Sequence, residues 1–354
     1  MRYIIFGFQK CTKLKFQKKY STKNIYLKKD PLRILFFGTD EFSAFSLLSL
    51  ISLSQSNKTV LEKIGVVTLP DSKIGRGHKT LYKTPVKLLA VEHNLKVYEM
   101  KKENIWETTG ILHDCAKIFN LVVSVSFGHL IPSILLKSME YGGINVHPSL
   151  LPRYKGPAPL HHTLLNKDKY TGVTIQTLHP YKFDEGKIIS VSELYKVTEQ
   201  ETLQTLSETL SKIAAELLIQ TLLKQEYLNV NTNLQNIYEP SYARKLTKED
   251  EIIKWNLWSS NEIELRNRVF GKLRSKFKSS NKIVILSDIE IVNDTEEKIY
   301  GYSGLYTYSK NGLYVRCVDG RNIKIGKIKI EGKNWVNGKE WAMTHLDEKN
   351  GYFV

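Results

Sequence analysis

A short apolar run at residues 33–37 stops at Gly38-Thr39 and is followed by helix-like apolar spacing from Phe42 to Leu53, a β-turn-α unit. A strand that apolar cannot bury both faces by itself, so it demands neighbouring strands in one sheet and helices packed on either side. Residues 64–67, 121–126, 143–146 and 173–177 read as further buried strands, and segments near 86–93, 132–137 and 159–165 as the helices between them. Such alternation predicts an α/β fold with a Rossmann-like, doubly wound and mainly parallel sheet. Gly38 has no following Gly-x-x-Gly, so the dinucleotide fingerprint is missing and a nicotinamide cofactor is not expected.

Thr198-x-x-Glu201 has the pattern of a capping box, and Leu203, Leu206, Leu210, Ile213 and Leu217 then keep helical spacing. This helix closes a first domain over residues 31–224. Residues 225–240 are Asn-rich and aperiodic and read as a linker. Beyond them the alternating stretches 282–286, 313–318 and 323–330, preceded by a helical 261–269, predict a small OB-like β-barrel domain over residues 241–354. Trp255, Trp258, Trp335 and Trp341 read as anchors of its core.

Within the first domain the strand Gly143-Ile144-Asn145-Val146-His147 presents Asn145 and His147 on one face at its exit, two residues apart. Open α/β sheets place their chemistry at that end. Taken alone, an Asn-x-His is more often a turn with a packed imidazole. The run from Leu150 to Pro159 argues against that, because its three prolines and one glycine impose an irregular backbone that is costly unless used. Asp184, in Phe183-Asp184-Glu185-Gly186, adds a carboxylate. An amide, an imidazole and a carboxylate are the groups that hold an oxyanion and move a proton.

At these residues the chain resembles the formyltransferases that use 10-formyltetrahydrofolate, and among them the methionyl-tRNA formyltransferases. The resemblance runs from Arg33-Ile34-Leu35-Phe36-Phe37-Gly38-Thr39 through Gly75-Arg76-Gly77-His78-Lys79, Thr84-Pro85-Val86-Lys87, Asn145 to Gly156 and Thr171-Gly172-Val173-Thr174 to Tyr242-Ala243-Arg244-Lys245-Leu246. It implies that the amine of methionyl initiator tRNA attacks the formyl carbon of 10-formyltetrahydrofolate, a co-substrate, without a metal. Asn145 and His147 would stabilise the negative oxygen, and Asp184 would hold the His147 tautomer or position a proton-shuttling water. Phe127 and Gly128 match the family's segment near the pterin, and Ser149, Leu150, Leu151 and Pro152 its folate-contacting run. Lys73, Arg76, Lys79 and Lys83 match the basic insertion that meets the tRNA acceptor end. Lys272 and Arg274, with Lys276 and Lys278, are phosphate-contact candidates in the C-terminal domain. The chain departs from the family at Pro148, in the run from Lys182 to Gly186, and in lacking an Asn-Pro-Trp-Pro type turn near residues 268–273.

Charge sharpens the choice within the superfamily. The chain carries a formal net charge of +16. Residues 1–30 hold nine Lys or Arg against one Asp, residues 31–240 hold 22 against 20, and residues 241–354 hold 21 against 15. A basic terminal domain suits a polyanionic partner, and the one-signed, aromatic-bearing first thirty residues read as a mitochondrial transit peptide. With 354 residues, no apolar run near twenty and three scattered cysteines, the chain suits two domains in a reducing compartment, with no membrane insertion and no obligate protein partner evident. His161-His162 lacks companions for a metal site. The alternatives are a formyltransferase acting on a small amine, a formyltetrahydrofolate hydrolase, and a catalytically silent RNA-binding protein on the same scaffold.

Overall fold

The computed structural model describes residues 30–74, 80–100, 111–228, 238–292, 299–345 and 350–354. Residues 1–29 of the expected transit peptide, Gly75 to Lys79 of the basic insertion and residues 229–237 of the expected linker lie outside them. Contacts divide the chain into two units. The first takes residues up to Pro159 with Tyr170–Lys196 and Leu206–Ala243, and the second takes Leu160–Lys169, Val197–Thr205 and Arg244–Val354.

The first unit realises the β-turn-α opening. Strand β1 (Leu32–Phe37) is almost wholly buried, as a central parallel strand must be, and helix α1 (Glu41–Ser56) starts at Asp40, whose carboxylate accepts from Ser43 N at 2.9 Å. The following strands are β2 (Leu61–Thr68), β3 (Ser72–Ile74), β4 (Thr80–Tyr82), β5 (Lys96–Glu99), β6 (Leu121–Val125), β7 (Gly143–His147), β8 (Tyr170–Thr171), β9 (Thr174–Thr177), β10 (Ile188–Val191) and β11 (Tyr195–Lys196). Seven of them form one sheet in the order β10-β9-β7-β6-β1-β2-β5. Every pairing from β7 to β5 is parallel, whereas β9 and β10 run antiparallel at one edge. Helices α2 (Pro85–Glu92), α3 (Ile111–Ile118) and α4 (Ser133–Ser138) lie between the parallel strands in the chain. The four-residue edge strand β5 has no fully buried position and so too little apolar patterning for the sequence to announce it.

Helix α6 (Leu203–Leu223) follows α5 (Pro159–Leu165). Its cap is not the Thr198–Glu201 pair. Those residues close a turn through Glu201 N and Thr198 O at 3.2 Å, and Thr202 takes the capping position, its hydroxyl accepting from Thr205 N at 3.1 Å.

The second unit adds helix α7 (Ser260–Phe270), strands β12 (Leu273–Lys276), β13 (Ile283–Val292), β14 (Leu305–Ser309), β15 (Gly312–Arg316), β16 (Asn322–Ile330) and β17 (Val336–Asn337), helix α8 (Gly338–Thr344) and strand β18 (Gly351–Tyr352). The antiparallel path β12-β13-β16-β15-β14-β18 closes on itself. Lys276 and Val354 exchange backbone hydrogen bonds at 3.0 and 2.9 Å, and Lys278 N donates to Tyr352 O at 2.8 Å. That pairing covers part of the edges that an open sheet would expose. Trp255 is buried in this core with its indole N–H donating to Ser275 Oγ at 2.9 Å, and Trp258 and Trp341 pack against it. Trp335 does not anchor it: the ring is 41% exposed and lies under Lys329 Nζ at 4.8 Å.

Residues 160–169 and 197–205, which a division at one linker assigns to the first domain, pack within the second unit. His162 Nε2 lies 3.2 Å from Arg244 O, Lys167 pairs with Glu262 at 3.1 Å, and Arg268 donates to Glu201 O at 2.6 Å.

Candidate active site

Strand β7 carries Asn145 and His147 to the carboxyl end of the parallel sheet, and its antiparallel partner β9 sets Gln176 directly opposite Asn145. Asp184 comes from the connection between β9 and β10. Its backbone is left-handed (φ +52°), a conformation that costs a non-glycine residue energy and persists only under outside support. The support is a fan of donors on the carboxylate. Gly156 N donates to Oδ2 at 2.8 Å, Gln176 Nε2 to Oδ1 at 3.0 Å, and Asn145 Nδ2 to Oδ1 at 3.3 Å. His147 Nδ1 stands 3.5 Å from the same Oδ1. The three residues singled out in the sequence therefore meet in one cluster, with the imidazole and carboxylate side chains only 7% and 9% exposed.

His147 Nε2 lies 2.8 Å from the carbonyl oxygen of Tyr154. A carbonyl only accepts, so Nε2 carries a hydrogen and Nδ1 is left on the Asp184 side. The ring is thus held from both sides, by the Tyr154 carbonyl at Nε2 and by Asp184 at Nδ1. A proton taken up at Nδ1 would then sit beside the carboxylate, which stabilises the resulting cation.

Gln176, Tyr154 and Gly156 were missed in the sequence. Gln176 Oε1 accepts from Gly186 N at 3.1 Å, which orients the amide and forces its NH₂ toward Asp184. A glutamine in the short strand-like run 173–177 was the available signal. Gly186 has its own reason to be glycine, since a Cβ there would lie 1.6 Å from Thr177 O.

The folate candidates lie in the connections that follow β6 and β7. Ser149, Leu150 and Leu151 are buried. Ser149 Oγ donates to Arg153 O at 2.7 Å, while Thr174 Oγ1 donates to Ser149 O at 2.7 Å and accepts from Leu151 N at 3.0 Å. The serine hydroxyl thus shapes the loop from within, and the bond before Pro152 is cis. Phe127 is buried edge-on to Phe37 at 5.1 Å, and Gly128 adopts φ +77° where an added Cβ would meet nothing, so conformation and not space calls for glycine. The adjoining turn is tied to β1 by Thr39 Oγ1, which donates to Ser126 O at 2.9 Å. Burial, opposed by hydrogen bonds from Ser43 and Ser126, raises the pKa of Asp40 next to it.

The basic candidates separate into two sets. Lys73 and Lys83 are exposed, on or beside the small β3–β4 ladder that flanks residues 75–79, while Arg76 and Lys79 lie outside the described residues. In the second unit Lys272 is half-buried and Lys276 and Lys278 are exposed. Arg274 differs from them: its guanidinium, 13% exposed, bridges Glu251 and Glu331, each at 2.8 Å. Where an Asn-Pro-Trp-Pro type turn is absent, α7 stops at Gly271 (φ +70°), whose N–H returns to Asn267 O at 2.7 Å, and the chain enters β12 at once. Among the described residues no three His, Cys, Asp or Glu side chains are grouped to hold a metal, and no helix is long and apolar enough to cross a membrane.

An amide, an imidazole and a carboxylate gathered at one strand end of a Rossmann-like sheet sit where open α/β enzymes place their chemistry. The chain belongs to the formyl transferase family, whose "Formyl transferase" domain matches residues 32–222 and whose "Formyl transferase, C-terminal domain" matches residues 245–346. Within it, similarity is to proteins named methionyl-tRNA formyltransferase. The mitochondrial protein of Saccharomyces cerevisiae is 30% identical over 91% of this chain and 91% of its own, and the mitochondrial human protein 33% identical over 92% and 78%. The same fold is found in a sugar 3N-formyl transferase, WlaRD, with a TM-score of 0.55 at 18% identity, covering 86% of this chain and all (100%) of that one.

Proposed function

We propose that the protein transfers the formyl group of 10-formyltetrahydrofolate to the α-amino group of methionyl initiator tRNA, in the mitochondrial matrix, over a catalytic domain (residues 31–224) and a tRNA-binding domain (residues 241–354) joined by residues 225–240. The observation that carries this reading is the convergence of Asn145, His147 and Asp184 on one hydrogen-bonded cluster at the exit of β7. The mitochondrial relatives and the basic first thirty residues support the location.

The folate co-substrate supplies the formyl carbon. Phe127, Gly128, Ser149, Leu150, Leu151 and Pro152 form the wall proposed to receive its ring: buried apolar side chains and tight turns leave backbone groups as the polar edge, which suits a planar heterocycle. As the amine attacks, negative charge grows on the formyl oxygen. Asn145 Nδ2, held to Asp184 by a long 3.3 Å bond, is the donor placed to turn toward it, an interaction worth roughly 2.7–4 kcal/mol when preorganised. His147 takes the proton that the amine loses as its nitrogen bonds to the formyl carbon, with Asp184 stabilising the cation through Nδ1 and the Tyr154 carbonyl through Nε2. When the tetrahedral centre collapses the C–N10 bond breaks and that proton passes to N10, releasing tetrahydrofolate. Lys73, Arg76, Lys79 and Lys83 meet the acceptor end, and Lys272 with Lys276 and Lys278 meets phosphates. Arg274 contributes by fixing the surface from which they project.

One assay tests the reading: 10-formyltetrahydrofolate supplied with methionyl initiator tRNA, with small amines, or with no acceptor, and the formyl group followed. Transfer to tRNA is expected. Faster transfer to a small amine, or hydrolysis without acceptor, overturns it.

A further inference from the structure

Two consecutive peptide planes in the loop after β7 are hydrogen-bonded on both edges, inward to the catalytic cluster and outward to Ser241 and Ala243. In the peptide joining Tyr154 to Lys155, the carbonyl accepts from His147 Nε2 at 2.8 Å and the N–H donates to Ser241 O at 2.9 Å. In the next peptide, joining Lys155 to Gly156, the N–H donates to Asp184 Oδ2 at 2.8 Å and the carbonyl accepts from Ala243 N at 2.7 Å. Ser241 Oγ also accepts from Tyr154 N at 2.9 Å, and Ser241 N donates to Pro152 O at 3.2 Å. Tyr154 itself is left-handed (φ +58°), which an L-residue adopts only when its surroundings enforce it. Gly156 (φ +104°) lies against the same segment, where a Cβ would come within 2.7 Å of the Tyr242 ring and 2.9 Å of Ala243 O.

We propose that Ser241, Tyr242 and Ala243 form a positioning strap for formyl transfer, a role that rests on the function proposed above. The strap touches neither reacting atom. It aims one carbonyl at His147 and one N–H at Asp184. Because two of its bonds, Lys155 N to Ser241 O and Ala243 N to Lys155 O, fall on the peptides that make the inner contacts, they also polarise those contacts, while the bonds to Tyr154 N and Pro152 O fix the approach to them. Without it the two planes are free to rotate, Tyr154 relaxes from its left-handed geometry, and the ring and carboxylate lose the partners that set their orientation.

The test uses the full chain with Ser241→Ala, Ser241→Thr and Ala243→Pro. Ala243→Pro removes the N–H that holds the Lys155 carbonyl, and Ser241→Ala the acceptor for Tyr154 N. Turnover is expected to fall about tenfold to a hundredfold, since small misplacements of catalytic groups cost that much. KM for tRNA and for folate should stay within about twofold, as for an interaction made in the transition state. The ¹⁵N ring resonances of His147, identified by their loss in His147→Ala, should move in both variants, and Ser241→Thr should restore turnover and resonances. Should Ala243→Pro fail to fold, the Ala and Thr pair at Ser241 decides. Wild-type turnover in Ser241→Ala, or lost turnover with unmoved His147 resonances, overturns the strap. A wild-type protein that formylates no methionyl-tRNA overturns the functional reading instead, and the resonances in Ser241→Ala still judge the strap.

Discussion

Asp184 accepts three hydrogen bonds and faces an imidazole, so its substitution removes an acceptor on which the cluster is built. Asp184→Asn and His147→Ala are each expected to lower single-turnover formyl transfer by roughly two to three orders of magnitude while folate binding persists, the pattern of groups that act on the transition state. Gln176→Met should cost less, about tenfold in turnover, since Gly156 N and Asn145 still hold the carboxylate. A loss as large as that of Asp184→Asn would make Gln176 more than a support. Asn145, His147 and Asp184 were legible in the sequence because their types and spacing announce chemistry. Tyr154 and Gly156 were not, since each contributes a backbone atom, and Ser241 acts 87 residues away in sequence. Nothing in a side-chain pattern reveals such partners. Arg274 reads in the sequence like its basic neighbours, and only packing shows that Glu251 and Glu331 both lie against its guanidinium.

Elements followed their patterns where burial was strong. The buried strands β1, β6 and β7 and the long α6 lie close to where apolar spacing placed them, whereas β5, with no fully buried position, left little trace. Strand β9 reads like its neighbours and runs the other way, because direction is set by the connection and not by the strand's own residues. The β3–β4 ladder gives the basic insertion a paired base, with Lys73 opposite Leu81. If Arg76 orients the acceptor end, Arg76→Ala should chiefly lower the rate at saturating tRNA, measured with folate also saturating. In the second unit a one-turn helix at Lys248–Glu251 presents Asp250 to Arg244, which donates to it from both guanidinium amines, one at 2.9 Å. Those hydrogen bonds hold the Asp250 carboxyl well below the usual carboxylate range. A depressed carboxylate adds stability above its unfolded pKa of about 3.9 and loses it as pH falls further. Thermal unfolding of wild type and Asp250→Asn should therefore differ by a constant amount near neutrality and converge in acid.

The whole molecule is two units in which the expected domain boundaries are crossed by short segments, 160–169 and 197–205 in one direction and 241–243 in the other. A truncation that asks what the C-terminal domain does should accordingly begin at Arg244, so that the catalytic loop keeps its partners. Removing residues 244–354 is expected to raise the apparent KM for tRNA and flatten its salt dependence, because distributed phosphate contacts supply affinity through counterion release. Formylation across a salt series, with folate saturating, measures both. An unchanged salt slope would mean that the charge of the second unit, although basic, is not a tRNA platform.

The distance in sequence between Tyr154 and Ser241 also orders events in time. A chain made or threaded N-terminus first exposes Asn145, His147 and Asp184 well before residue 243, so the sheet can form while the loop beside it still lacks two of its four peptide-plane contacts. Closing so long a loop is slow relative to the local pairing of β7 with β6 and β9. On the strap proposed above, the loop beside His147 and Asp184 is complete only once residues 241–243 have docked.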